Sequence, residues 1–176
     1  MVTINGQLIA ESRKRQGISQ NELASKVPTS RESIAKYETN ARKTPKEMQP
    51  FLTQALDDPL FILKQQDEIT GGVTIPYLDG ELIDHHYASL TFLAIKELRE
   101  AETHLEDIDL SKPVAFMRCH EADHIQRTIR ELLDSAAAAQ TLAIDLMNNF
   151  DFSYVEEIKQ WKASLMARGY IQRRNK

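Results

Sequence analysis

A single cysteine, Cys119, is present in 176 residues, so no internal disulfide can form and nothing points to an oxidising compartment. Glycine occurs only six times. There is no glycine-rich phosphate loop and no nucleophile-elbow pattern, and the one pair, Gly71-Gly72, is isolated and reads as a hinge. No run approaches the roughly 18–20 consecutive apolar residues of a membrane span. The first charges, Glu11 and Arg13, follow no apolar segment of the kind a secretory leader carries. Internal repeats and long low-complexity tracts are missing too. These absences set the expectation of a cytoplasmic protein without membrane contact, cofactor or enzymatic activity.

What is present is an ordinary globular composition, 41% hydrophobic and 27% charged, with a net charge of −4. The charge is unevenly spread. Residues 1–56 hold nine Lys or Arg against five acidic residues, a net of +4, and residues 57–176 hold thirteen against twenty-one, a net of −8. Phosphate contact needs local rather than average positive charge. The pattern therefore suggests a nucleic-acid reader at one end and a different task at the other.

Helical periodicity dominates the chain. Residues 6–16 place Leu8, Ile9 and Ser12 at helical spacing and stop before Gly17. Ser19 precedes Glu22 by three, a capping-box signature that opens a second helix through Lys26. Ser30 opens a third, reaching Tyr37. After Thr44-Pro45, residues 46–56 read as a fourth helix with Met48, Phe51, Leu52 and Leu56 inward, and a short amphipathic segment follows at Leu60–Leu63. Gly71-Gly72, Pro76 and Asp79-Gly80 mark residues 65–80 as a linker, with room for a short extended piece at 73–75. Long helices then return. Residues 81–106 align Ile83, Tyr87, Leu90, Ala94, Leu98, Ala101 and Leu105. Pro113 is placed as the first turn of a second helix, reaching Phe150 with Ile125, Ile129, Leu132, Ala136, Ala139, Ala143 and Leu146 on its stripe. A last helix covers 153–168. The expectation is an all-α protein with units at 1–64 and 81–176, the second offering too few helices to close a core except with another copy of itself.

The functional signal lies in two consecutive runs, Gln16-Gly17-Ile18-Ser19-Gln20-Asn21-Glu22-Leu23-Ala24-Ser25-Lys26-Val27 and Thr29-Ser30-Arg31-Glu32-Ser33-Ile34-Ala35-Lys36-Tyr37-Glu38. Leu23 and Ala24 face inward, Val27 and Ile34 fill the space between the helices, and the short connection makes them cross steeply. The second helix then presents its N-terminal residues to a major groove. Arg31 is suited to bidentate donation to guanine and Glu32 to accepting from a cytosine amino group.

The two runs resemble the Cro/CI-type (XRE-family) helix-turn-helix, over about residues 6–56. The resemblance implies a lambda-repressor-like N-terminal domain that reads base edges through Ser30, Arg31, Glu32, Ser33 and Lys36. It also implies phosphate contacts from Asn40, Arg42 and Lys43, and from Gln20, which in that family either touches phosphate or braces the reading residue. Arg13 and Glu38 match positions that are salt-bridged in some phage repressors. One position departs from the pattern: Pro28 stands in the turn, where many members carry a glycine, so a variant turn path is expected.

A second constellation, His120-Glu121-Ala122-Asp123-His124, spells the H-E-x-x-H of zinc peptidases. No sheet or third ligand accompanies it, and both histidines fall at the margin of an apolar stripe. Glu121-x-x-His124 also has the spacing of carboxylate-bridged metal bundles, with Asp84, His85 and His86 as conceivable partners, but the second Glu-x-x-His is missing. No metal site is expected, with His120, Glu121 and His124 the residues to watch. Arg168, Arg173, Arg174 and Lys176 form a basic tail that reads as solvated.

The function expected from these residues is a transcription regulator of the phage-repressor type. It would bind double-stranded DNA at an inverted repeat as a homodimer or higher homo-oligomer. Two rivals belong to other classes: an antitoxin or adaptor acting through protein contacts of the C-terminal helices, and a metal-responsive regulator using residues 120–124.

Overall fold

The computed structural model describes residues 5–172. It is all-α, with eight α-helices and no strand among the described residues. The chain divides into two compact units, Met1–Thr74 with Asp151–Lys176, and Ile75–Phe150.

The first unit begins with α1 (Gly6–Arg15), α2 (Gln20–Lys26) and α3 (Arg31–Glu38). Each starts where the sequence supplies a cap. The Asn5 side chain accepts from the Gln7 N–H, Ser19 and Glu22 form a reciprocal capping box, and Ser30 accepts from the Ser33 N–H. Gly17, at φ 65°, closes α1 in the left-handed conformation that a helix C-terminus favours. A 3₁₀ turn, Lys46–Met48, leads into α4 (Gln49–Leu56), and α5 (Pro59–Thr70) follows. Ten buried side chains, Leu8, Ile9, Leu23, Val27, Ile34, Tyr37, Met48, Leu52, Leu56 and Phe61, form one continuous core.

Phe51 is a correction to the expected core, being 47% exposed. Pro50 has no N–H to return to the Lys46 carbonyl, so the regular α-helix starts only at Gln49. The tighter 3₁₀ turn before it rotates the register, and Met48, Leu52 and Leu56 take the inward sector without Phe51. Residues 66–70, expected in a linker, are the last turns of α5, and residues 73–75 form no strand. From Asp151 the unit adds α8 (Tyr154–Ala167), whose Val155 N–H donates to the Asp57 carboxylate at 2.8 Å.

The second unit is a helical hairpin of α6 (Tyr87–Asp107) and α7 (Cys119–Asn149). Both helices start later than periodicity suggests. Asp84 accepts from the His86 N–H and the Ser89 hydroxyl, and His86 caps Ala88, so residues 81–86 turn instead of winding. Pro113 precedes a separate 3₁₀ turn, Val114–Phe116, and α7 begins where Glu121 accepts from the Arg118 N–H at 2.8 Å. The buried face of α7 is also not its most apolar one. Thr128, Ser135, Ala137, Ala138, Thr141, Ile144 and Asp145 are buried, and Ile129, Leu132 and Phe150 of the expected stripe are exposed. Two polar residues on that face hold the preceding segment. Thr141 accepts from the Leu78 N–H at 3.0 Å, and Asp145 accepts from Tyr77 Oη at 2.6 Å and meets His85 Nδ1 at 2.7 Å. Burial and the Asp145 carboxylate push the Tyr77 hydroxyl well above its ordinary pKa.

Candidate nucleic-acid interface

The geometry of α3 is set by its two ends. At its C-terminus Glu38 is gripped by Arg13 of α1, with Nε to Oε1 at 2.6 Å and Nη2 to Oε2 at 3.1 Å. Both side chains are nearly buried, 13% and 6% exposed. The same guanidinium donates to the Ile18 carbonyl, and Gln20 Nε2 donates to Glu38 Oε2 at 2.8 Å. Burial works to raise the Glu38 pKa, but the hydrogen bonds from Arg13 and Gln20 outweigh it and leave the carboxyl below its ordinary value. The bond to Glu38 likewise raises Arg13. One carboxylate thus joins α1, α2 and α3.

A second tie lies beside it. Asn40, in the left-handed region at φ 57°, accepts from the Gly6 N–H at 2.9 Å. A Cβ placed on Gly6 would stand 1.7 Å from the Tyr37 carbonyl oxygen, so only glycine allows this approach of α1 to α3.

The turn between α2 and α3 passes Pro28 without a left-handed residue. Val27 is extended at φ −127° and ψ 152°, and the Thr29 N–H reaches back to the Val27 carbonyl at 2.7 Å. The departure at Pro28 is therefore accommodated by a short loop of ordinary backbone, and Ser30 still caps α3.

Beyond these ties, one side of α3 is outward-facing, opposite the buried Ile34 and Tyr37. Arg31, Glu32 and Lys36 are exposed, and Ser33 is half-buried with its hydroxyl 3.3 Å from that of Ser30. Hydrogen bonds from its own backbone N–H and from Ser30 hold the Glu32 pKa below the ordinary carboxylate range. Arg42 and Lys43 are exposed just past α3, and the Arg42 guanidinium lies 5.9 Å from the centre of the Tyr37 ring. Two residues expected at phosphates also have partners within the domain, Gln20 with Glu38 and Asn40 with Gly6. Arg173, Arg174 and Lys176 lie outside the described residues.

A helix-turn-helix family model matches residues 9–49, the segment holding the Arg13–Gln20–Glu38 tie and the exposed residues of α3. Residues 9–49 are a helix-turn-helix of the XRE family. Helix-turn-helix domains of this kind are DNA-binding regulatory domains. No curated protein and no solved structure matches the chain. No helix among the described residues is long and apolar enough to cross a membrane.

The residues of the H-E-x-x-H run are placed at the start of α7. His120 is exposed in its first turn. Glu121 is bound by the Arg118 N–H and by Lys112, which together hold its pKa below the ordinary value. His124 sits edge-on to His104, with ring centres 5.7 Å apart. A different acidic group was not foreseen from sequence. Glu97 of α6 and Glu131 and Asp134 of α7 bring carboxylate oxygens within 4.8 Å of one another, a meeting that depends on how the two helices pair. Glu131 also lies 3.9 Å from His104 Nε2, and Lys96 neutralises Glu97 at 2.9 Å.

Proposed function

We propose that the protein is a sequence-specific transcription regulator of the repressor type, occupying an inverted-repeat operator as a dimer. The observation that carries this reading is the division of labour on α3. One buried charge pair, Arg13–Glu38, fixes α3 on the domain, while Arg31, Glu32 and Lys36 are left exposed. A side chain that reads a base edge must be held in place by something other than itself, and this arrangement does so.

In this reading Arg31 donates to a guanine, Glu32 accepts from a cytosine amino group, and Ser30, Ser33 and Lys36 complete the base contacts. Arg42 and Lys43 neutralise phosphates. Gln20 and Asn40 act by bracing, with their side chains on Glu38 and Gly6. The local net charge of +4 over residues 1–56 favours DNA, and the −8 of the remainder keeps other surfaces away from it. Two copies would read half-sites about 10–10.5 bp, or a multiple, apart.

The test is selection of bound duplexes from a random pool with the purified full chain at near-physiological salt. Enrichment of an inverted repeat with fixed spacing is the expected result. A pool that enriches nothing would move the helix-turn-helix from DNA reading to protein docking, and a stoichiometric protein co-purifying with the chain would then identify an adaptor.

A further inference from the structure

The helical hairpin leaves apolar surface uncovered. Small residues line the contact between α6 and α7, among them Ala94 and Ala101 of the first and Ser135 and Ala138 of the second, all buried. Their size lets the helices approach closely but gives them little apolar area to bury. Leu90 and Ile144 are buried, but several other large side chains point elsewhere. Ile95, Leu98 and Leu105 of α6 and Leu132 of α7 line an open groove of about 530 Å³, and Leu98 and Leu105 are 53% and 48% exposed. Ile129 and Leu133 extend the apolar surface along α7.

The charges around this groove indicate what fits it. Arg99 stands at one end, Glu106 at the other, and Glu102 between them. Among the described residues none of the three pairs with another charged side chain of the chain. A second α6 laid antiparallel across the first, with the two-fold axis between Glu102 and Thr103, brings Arg99 opposite the Glu106 of the other copy twice. The same operation leaves Leu98 and the Leu105 of the other copy two positions, about 3 Å, out of direct register, on the same side of the contact. A parallel arrangement would set all three charges beside their own copies, whereas the antiparallel one does so only for Glu102. Self-complementarity of this kind, in which a patch meets its own copy with the ends exchanged, is what an isologous two-fold interface requires.

We propose that the groove between α6 and α7 seats the same groove of a second copy, antiparallel, so that two hairpins close a four-helix core. The proposal deepens the two-copy reading above, by naming the surface and its register, and rests on it only for its biological purpose. Leu98, Leu105 and Leu132 supply the buried contact, and the Arg99–Glu106 pairs set the direction.

Sedimentation equilibrium of the full chain without DNA tests it. The wild type is expected at twice its 20.1 kDa mass. Leu98→Glu, Arg99→Glu and Glu106→Arg are each expected to shift the chain towards monomer with unchanged helical circular dichroism. The double swap Arg99→Glu/Glu106→Arg is expected to recover the dimer, because exchanged charges meet again across the axis. If a charge variant unfolds, Leu98→Ser/Leu105→Ser takes its place. A monomeric wild type, a dimer indifferent to Leu98→Glu, or a double swap as monomeric as its single variants would each overturn the proposal. A monomer that enriches a single half-site would remove the groove pairing and leave DNA reading intact. A dimer that enriches no duplex would do the reverse.

Discussion

Arg13 shows how much one side chain can organise. Its guanidinium holds Glu38 with two hydrogen bonds and the Ile18 carbonyl with a third, in a site almost closed to water. Removing it strands a buried carboxylate with Gln20 alone. Arg13→Ala is expected to cost about 3 kcal/mol, the lower end for a broken buried pair, as read by urea unfolding. Glu38 also links stability to acid. Its pKa is lower in the folded chain than the ordinary 4.5, so its stabilisation is present above that pH and is lost as the pH falls through the depressed value. Glu38→Gln should be less stable than wild type at neutral pH and lose stability less steeply on acidification below about pH 4.5. Arg31 is the opposite kind of residue, with no packing role. Arg31→Ala is expected to cost about 1–3 kcal/mol at one base position and to relax preference there, measured against all single-base variants of the selected site. An equal loss on every sequence would place Arg31 at a phosphate.

At the scale of elements, the contact between α1 and α3 depends on a residue without a side chain. Gly6→Ala would drive a Cβ into the Tyr37 carbonyl, which belongs to the backbone and cannot rotate away. A loss of about 3 kcal/mol, the top of the range for overpacking, is expected in thermal or urea unfolding, and a neutral result would mean that the helices separate easily. The sequence does not announce this glycine, because its constraint comes from a carbonyl thirty-one positions away. Locally encoded features were readable: Gly17 as a stop, Ser19 with Glu22 as a capping box, Ser30 as a cap. The paired Arg13 and Glu38 were readable only through the family resemblance. Phe51 was misplaced because Pro50 delays the helix, and the starts of α6 and α7 because Asp84, His86 and Glu121 bond to nearby backbone. The buried face of α7 escaped for a different reason. Periodicity shows that a stripe is apolar but not which partner covers it, and here Thr141 and Asp145 turn inward to meet Leu78, Tyr77 and His85.

For the whole molecule, the separation of charge is the property with the widest effect. Positive charge near α3 faces a polyanion while the acidic remainder is repelled by it, so affinity for DNA should fall steeply with added salt. Arg42→Ala/Lys43→Ala is expected to weaken binding about equally on all sequences. It should also lower the slope of log affinity against log salt by about 2 per copy, at about 0.9 for each phosphate no longer neutralised. A change in sequence preference with no change in slope would mean that these residues touch bases.

The residues that hold α3 and those that it displays are different residues. Arg13, Gln20, Glu38, Asn40 and Gly6 carry the helix, and Arg31, Glu32 and Lys36 are free of that duty. On the proposed reading of α3, address and chassis drift independently: a lineage carrying this domain would adopt a new operator through substitutions at three exposed positions, without first having to survive an unstable intermediate.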